Sequence, residues 1–410
     1  MYRPIQKLSS ALAACLLAAT LHAQDKTLRL DYIFSGTDKM TEISLAGLKS
    51  LDGWHGRTVN MDRLFLQGNG QITVRDQESG CILYVNAFST LFQEWQNSEE
   101  ATRVRKAFEN VFLVPMPAAP AEITVELFDS HRRSSARYTH TVDPADILVR
   151  PAGTHPTPHR QLHRSGDSRE KIDIAIVAEG YTADEAELFY RDARTAMESI
   201  WSHEPFKSMQ DRFNIVAVAP VSRDSGVSIP HEGLWKETAL GSHFDTFYSD
   251  RYLTTLNLFR LHDILAGIPY EHIIILANTD NYGGGGIFNS YVLSAAHNRL
   301  SLPVVVHEFG HSFAGLADEY YYDDQYEEFY HPDTEPWEPN ITTLVDFGSK
   351  WKDMMGQDGV GLHEGGGYQS KGVFRPQEDC RMKTNGHPDF CPVCERSVRA
   401  IIGFYTEEAD

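Results

Sequence analysis

The alternation of apolar and polar positions changes character about 150 residues into the chain. Between residues 24 and 150, runs such as KTLRLDYIFSG, QITVRD, CILYVNAF and AEITVELFD alternate apolar with polar side chains, or string β-branched and aromatic residues together between turn residues. Such runs predict strands with one buried face, and ARYTHTVDPADILV predicts a further pair. The expectation is an all-β, sandwich-like N-terminal domain over 24–150, with a short helix inside ESGCILYVNAFSTLFQEW and no catalytic constellation. Residues 151–170, PAGTHPTPHRQLHRSGDSRE, lose all apolar periodicity and read as a linker. His155, His159 and His163 are spaced four apart, but Pro156 and Pro158 break any helix there, so these histidines read as solvated.

From residue 171 the pattern becomes strand alternating with helix. IDIAIVAEG, FNIVAVAP, HIIILAN and FNSYVLSAA predict buried strands. TADEAELFYRDARTAMESIW, opened by Thr182 and carboxylates suited to a helix start, and HFDTFYSDRYLTTLNLFRLHDILA predict helices. Such alternation predicts an α/β domain over 171–410, an open and mostly parallel sheet with helices on its faces. Glu179 and Gly180 end the first of these strands and carry no chemistry. A further helix, VVVHEFGHSFAGL, follows the sheet, and residues 318–380, rich in Tyr, Asp, Gly and Pro, predict loops around a site.

Charge narrows the partners. The 410-residue chain carries 37 basic against 57 acidic residues, a formal net charge of -20. That argues against nucleic acid or an anionic membrane, both of which reward Lys/Arg patches. The first 23 residues read as a signal peptide: Arg3 and Lys7 at the basic end, an apolar run from Leu8 to Leu21, and Ala23 for cleavage. That run is too short to span a membrane. LAAC at residues 12–15 offers a second reading, a lipid anchor at Cys15. The expectation is an exported protein, secreted, periplasmic or at the cell surface, with no transmembrane segment. Cys81 reads as a buried strand thiol. The remaining three cysteines fall in CRMKTNGHPDFCPVC, which in an exported chain predicts a disulfide of Cys380 with Cys391 or Cys394; a zinc site of the three with His387 is the alternative.

The candidate chemistry lies in HEFGHSFAGLADEYYY. His307 and His311 are one helical turn apart, about 6 Å along the axis, and so share a face. That spacing lets two imidazoles reach one Zn²⁺ with Glu308 beside them as general base for a metal-activated water. Val304 to Val306, Phe309 and Phe313 bury the helix, and buried His beside buried Glu is costly without a partner. A catalytic zinc takes three protein ligands and leaves one position open. On a straight helix Asp318 would lie about 10 Å beyond His311, but Gly315 can end the helix in a left-handed turn and return Asp318 to the metal. Glu319 is the next candidate, and Glu327 or Glu328 would serve if the helix ran on. Tyr320, Tyr321 and Tyr322 are candidates for stabilising an oxyanion, Tyr320 first.

HEFGHSFAGLADEY, with DIAIVAEGYTADE, NTDNYGGGG and CRM…FCPVC, resembles the IgA-specific metallo-endopeptidase family, peptidase family sixty-four of the metallo class, over roughly residues 165–400. That family is similar to metzincins, and the resemblance implies a metzincin-like catalytic domain in which Met382 is the methionine of the turn beneath the metal. It also implies that Tyr282, Gly283, Gly284, Gly285 and Gly286 form the rim presented to substrate. The chain departs from the metzincin pattern HExxHxxGxxH: it reads HExxHxxxGxxD, with Gly one residue later and Asp for the third His. The function expected is a secreted zinc-dependent endopeptidase with a protein or peptide substrate, immunoglobulin A by the resemblance. The alternative is an exported, metal-containing binding protein without turnover.

Overall fold

The computed structural model describes residues 26–322 and 329–407. The leader expected over residues 1–23, with Cys15, and the candidate ligands Glu327 and Glu328 lie outside the described residues.

The first part is built from β1 (Lys26–Gly36), β2 (Thr41–Asp52), β3 (Gly70–Asp76), β4 (Ile82–Phe88), a short helix α1 (Leu91–Gln96), β5 (Lys106–Pro115), β6 (Ala121–Phe128), β7 (Ser134–Val142) and the two-residue β8 (Arg150–Pro151). They form two four-stranded sheets, ordered β5-β1-β2-β8 and β4-β3-β6-β7. The period of two decides the packing. Leu28, Leu30, Tyr32 and Phe34 project from one face of β1 into the same core as Ile72 and Val74 of β3 and Ile123 and Val125 of β6. The two sheets thus bury their inner faces on each other. β2 and β5 escape the pattern reading because their side chains are mixed and half-buried, as in TEISLAGLKSLD. Cys81 is half-buried, sits one residue ahead of β4 and not within it, and is disulfide-bonded instead of a thiol.

The opposite face of β1 is buried too. Arg29, 0% exposed, pairs with Asp31 at 2.6 Å, reaches Asp263 at 2.7 Å and donates to the Phe259 carbonyl at 2.9 Å. A buried guanidinium is tolerated only when its donors are met, and here they are met across the boundary between the two parts of the chain. Asn289 donates to the Ala87 carbonyl at 2.8 Å and the Ser89 amide to that of Phe288 at 3.0 Å, so the β-rich part is fastened to the rest near the cleft described below.

The second part is a six-stranded sheet made of β9 (His159–His163), β10 (Ile172–Glu179), β11 (Phe213–Val218), β12 (His272–Ala277), β13 (Gly284–Ile287) and β14 (Tyr291–Ala295), ordered β13-β14-β12-β10-β11-β9. β11, β10, β12 and β14 are mutually parallel, and the edge strands β9 and β13 are antiparallel. Helices α2 (Ala186–Ile200), α4 (Ser301–Ala314) and α5 (Pro392–Thr406) cover it through a core that includes Phe189, Phe213, Phe309, Phe313 and Val398. The architecture is mixed α/β. β9 lies inside the stretch expected to be linker: past Pro158 no proline interrupts His159–His163, and its amides are free to pair with β11. The helix expected over residues 243–266 is confined to α3 (Leu258–Ile264). Asp245, Phe247 and Tyr248 all have positive φ, which no helix accepts. Glu179, 0% exposed at the end of β10, accepts from the Thr238 hydroxyl at 2.6 Å and from the Leu240 and Ser242 amides at 2.8 Å each, a structural role that pins the following loop. A small three-stranded sheet of β15 (Tyr321–Tyr322), β16 (His363–Gly366) and β17 (Tyr368–Arg375) completes the chain with α5. Among the described residues no helix is long and apolar enough to cross a membrane.

Candidate metal centre and its cleft

α4 begins with Pro303 in its first turn, where a missing N–H costs nothing, and buries Val304, Val305, Val306, Phe309 and Phe313 against the sheet. It ends at Gly315, whose φ of 60° and ψ of 27° lie in the left-handed region. The Gly315 amide bonds the His311 carbonyl at 3.0 Å and the Leu316 amide that of Gly310 at 3.2 Å, so the chain doubles back at once. The turn carries Asp318 to His307, whose Nε2 stands 2.9 Å from Asp318 Oδ1. His311 Nε2 is 3.0 Å from His307 Nε2 and 3.2 Å from the same Asp318 oxygen.

An ion held by nitrogen and oxygen at about 2.0–2.1 Å in a tetrahedron sets its donors about 3.3–3.4 Å apart. The three observed separations lie just inside that, a triangle that closes on one cation. The outer bonds orient it: His307 Nδ1–H donates to the Arg381 carbonyl at 3.0 Å and His311 Nδ1–H to the Leu316 carbonyl at 2.5 Å. A carbonyl only accepts, so the proton belongs on Nδ1 and both Nε2 lone pairs face inward. Asp318 Oδ2 accepts a hydrogen bond from the Tyr368 hydroxyl.

Charge is concentrated here. Burial disfavours the ionised form of Asp318, yet the His311 and His307 imidazoles hold its carboxyl far below the usual range. Burial likewise disfavours His311 as a cation, and the Asp318 carboxylate overrides it and lifts the imidazole to about 9. Positive charge is favoured between these three donors, the condition a divalent cation meets. Glu308, next along α4, has its pKa raised by burial, partly offset by the two imidazoles. A raised pKa brings a carboxylate towards the neutral range where a general base works best.

These groups open on a cleft of about 1120 Å³ whose other wall comes from the β-rich part. Glu94 of α1 lines it, with its carboxyl accepting from the Tyr252 hydroxyl and its pKa raised to about 7 by burial and by the nearby Glu308 and Asp318 charges. No catalytic role was expected of that part of the chain, and no local pattern marks Glu94, because its neighbours lie more than 150 residues on.

The IgA Peptidase M64 family model matches residues 161–360 and 355–402, and the Peptidase M64 N-terminus model matches residues 21–139. The chain belongs to the M64 peptidase family. Membership supports a peptidase of the metallo class, with the β-rich part counted in the family's own N-terminal region. No curated protein matches the chain.

The remaining candidate residues of this M64 peptidase divide by position. Tyr320 lines the cleft, its ring 5.2 Å from that of Tyr368, and Tyr322 lies beside it at 5.8 Å. Tyr321 instead packs against Gly365, with Arg375 over its ring at 5.5 Å. Met382 is 0% exposed, and its sulfur would stand only 2.8 Å from a Cβ placed on Gly310, so it packs directly on α4 between the two histidines. Glu319, the second candidate for third ligand, points away from the imidazoles into a group of cysteines. Cys380, Cys391 and Cys394 are buried and free, so the expected disulfide is not formed, and His387 bonds the Asp389 carbonyl at 2.8 Å outside that group.

Tyr282 and Gly284 to Gly286 line the cleft, the three glycines along the sheet edge, whereas Gly283 lies against Phe244 and the Arg251 carbonyl outside the lining. Two of the glycines are dictated by α4: a Cβ on Gly286 would fall 2.3 Å from the Glu308 carbonyl oxygen, and one on Gly284 3.3 Å from Glu308 Cγ. Gly286→Ala is therefore expected to part β13 from α4, lower stability by about 1–3 kcal/mol and reduce turnover together. Gly47→Ala, where an added Cβ meets nothing within 4 Å, is the control. Thermal unfolding and peptide hydrolysis of both variants check this.

Proposed function

We propose that this M64 peptidase is an exported zinc-dependent endopeptidase, in which His307, His311 and Asp318 hold one catalytic Zn²⁺ and Glu308 is the general base. The observation that carries the reading is the closed triangle of His307 Nε2, His311 Nε2 and Asp318 Oδ1, with separations of 2.9–3.2 Å beside a carboxylate facing a peptide-sized cleft. A bound zinc ion supplies Lewis acidity to a water molecule and to the scissile carbonyl. Glu308 takes the proton from that water and hands it to the departing amine. Tyr320, which lines the cleft, is the donor assigned to the developing oxyanion, while the Tyr368 hydroxyl is committed to Asp318. Met382 beneath α4, and the glycine turn that returns an oxygen ligand, support a metzincin-like catalytic unit over residues 171–410. The β-rich region of residues 24–150 acts as an accessory domain that supplies one wall of the cleft.

The substrate is an extended segment of a protein. Antiparallel β13 offers a sheet edge along which such a segment can add as a further strand. Immunoglobulin A, which the family name carries, is the first protein to test. The basic end and apolar run of residues 1–21 support export, with a lipid anchor at Cys15 as the second route to the cell surface. Hydrolysis of casein and of immunoglobulin A, measured with and without a zinc chelator, tests the reading. Cleavage is expected to vanish with chelator and return with added Zn²⁺. Cleavage unaffected by chelator, or none of any protein by the metal-loaded chain, would favour the non-catalytic binding protein.

A further inference from the structure

Beyond the catalytic centre a second donor set lies in the interior. Glu319, Cys380, Cys391 and Cys394 come from three segments: the return loop after α4, the turn before Met382, and the start of α5. Their four ligand atoms all lie within 4.8 Å of one another, and all four residues are buried. Cys380 Sγ and Cys394 Sγ are 3.9 Å apart, and Cys394 Sγ is 3.2 Å from Glu319 Oε1. A tetrahedral zinc with sulfur at about 2.3 Å sets sulfur atoms about 3.8 Å apart and a sulfur–oxygen edge somewhat shorter. The Cys380–Cys394 separation matches that edge, and the Cys394–Glu319 separation lies just inside it.

Two further features point to a cation rather than to packing. Glu319 is 0% exposed, and its Oε2 has no hydrogen-bond partner, a costly arrangement for a carboxyl group surrounded by thiols unless something binds it. The surroundings are also arranged for thiolates. The Cys391 amide donates to Cys380 Sγ at 3.2 Å, and Cys391 and Cys394 sit at the N-terminus of the 15-residue α5, where the helix dipole favours negative charge. Arg375 and Arg381, each 4% exposed, bring positive charge close to Glu319 and Cys380 respectively, and the Nε of each is without a partner.

We propose that Cys380, Cys391, Cys394 and Glu319 form a second metal site, a closed structural Zn²⁺ site distinct from the catalytic one. On loading, three S–H bonds are exchanged for three S–Zn bonds and one O–Zn bond forms; the thiol protons leave to solvent and no electrons are transferred. Two positive charges against three thiolates and a carboxylate leave the centre at -2, which the two buried arginines offset. The site's purpose follows from its neighbours. Glu319 adjoins the catalytic ligand Asp318, and Cys380 adjoins Arg381, whose carbonyl orients His307. One ion therefore staples the return loop, the methionine turn and α5 together, fixing two supports of the catalytic triangle from behind.

The inference stands apart from the hydrolase reading, because only this site has sulfur ligands. In the full chain with His307→Ala and His311→Ala, metal analysis is expected to find one Zn²⁺ per chain, and adding Cys394→Ser is expected to remove it. Should Cys394→Ser fail to fold, zinc X-ray absorption on the unsubstituted protein decides: sulfur scatterers near 2.3 Å are expected. The cobalt-loaded protein should likewise show a thiolate-to-metal charge-transfer band. No metal in the double-alanine chain, a metal shell lacking sulfur, or one free thiol in place of three among Cys380, Cys391 and Cys394 after denaturation in chelator would each overturn the proposal. The last result would mean a disulfide.

Discussion

Glu308→Ala is expected to keep its zinc and lose its turnover. Glu308 is not a member of the donor triangle, so removing its carboxylate leaves His307, His311 and Asp318 in place with their outer bonds to Arg381, Leu316 and Tyr368. What disappears is the carboxylate proposed to take a proton from an attacking water. Positioned acid–base groups contribute about 10²–10⁴-fold, and kcat should fall at least that far with KM little changed. The variant also relieves a buried carboxyl whose ionised form is disfavoured by its surroundings, so its thermal stability should be equal or higher. Metal content, unfolding temperature and peptide hydrolysis measured on one preparation give the answer. Turnover within tenfold of the original would remove Glu308 from the mechanism, whereas lost zinc would make it a ligand.

The HExxH helix was legible in the sequence because its information is local. His307, Glu308 and His311 lie in one turn, and the spacing alone puts the imidazoles together. The parallel strands were legible for a related reason: IDIAIV, FNIVAV and HIIILA are buried on both faces and read as continuous apolar runs. Local patterns fail where long-range contacts decide. Glu94 and Tyr252 are 158 positions apart and meet only because the β-rich region docks against the cleft. Tyr368 reaches Asp318 across 50 positions, from a glycine-rich stretch without periodicity. The choice between Asp318 and Glu319 shows the limit most sharply. Both are acids just past Gly315, and composition cannot rank them. Past the helix the side chains of these two neighbours project to opposite sides, one to the imidazoles and the other to the thiols. The stretch from 243 to 257 misled in the other direction: its apolar spacing resembles a helix, but the backbone there turns through left-handed conformations instead.

That division of labour between neighbouring acids sets the second large effect. Asp318→Asn keeps the size and shape of the side chain and removes the charge that binds the cation. The carboxylate is held ionised by two imidazoles in a buried site, where an amide oxygen is a much weaker donor to a divalent ion. The variant is expected to lose the catalytic ion on dialysis and all measurable hydrolysis with it. Tyr368→Phe removes only the outer hydrogen bond to Asp318 Oδ2 and calibrates the scale, since losing such a partner costs about 10–100-fold in metal affinity or activity. Asp318→Asn must fall well beyond that range. Glu319→Gln, by contrast, should leave the histidine-bound ion in place, because its carboxylate faces the cysteines. Zinc titrations followed by activity separate the three variants. If Asp318→Asn binds as tightly as the unsubstituted chain while Glu319→Gln abolishes activity-linked binding, the third ligand is Glu319 and the return loop adopts the opposite facing when loaded.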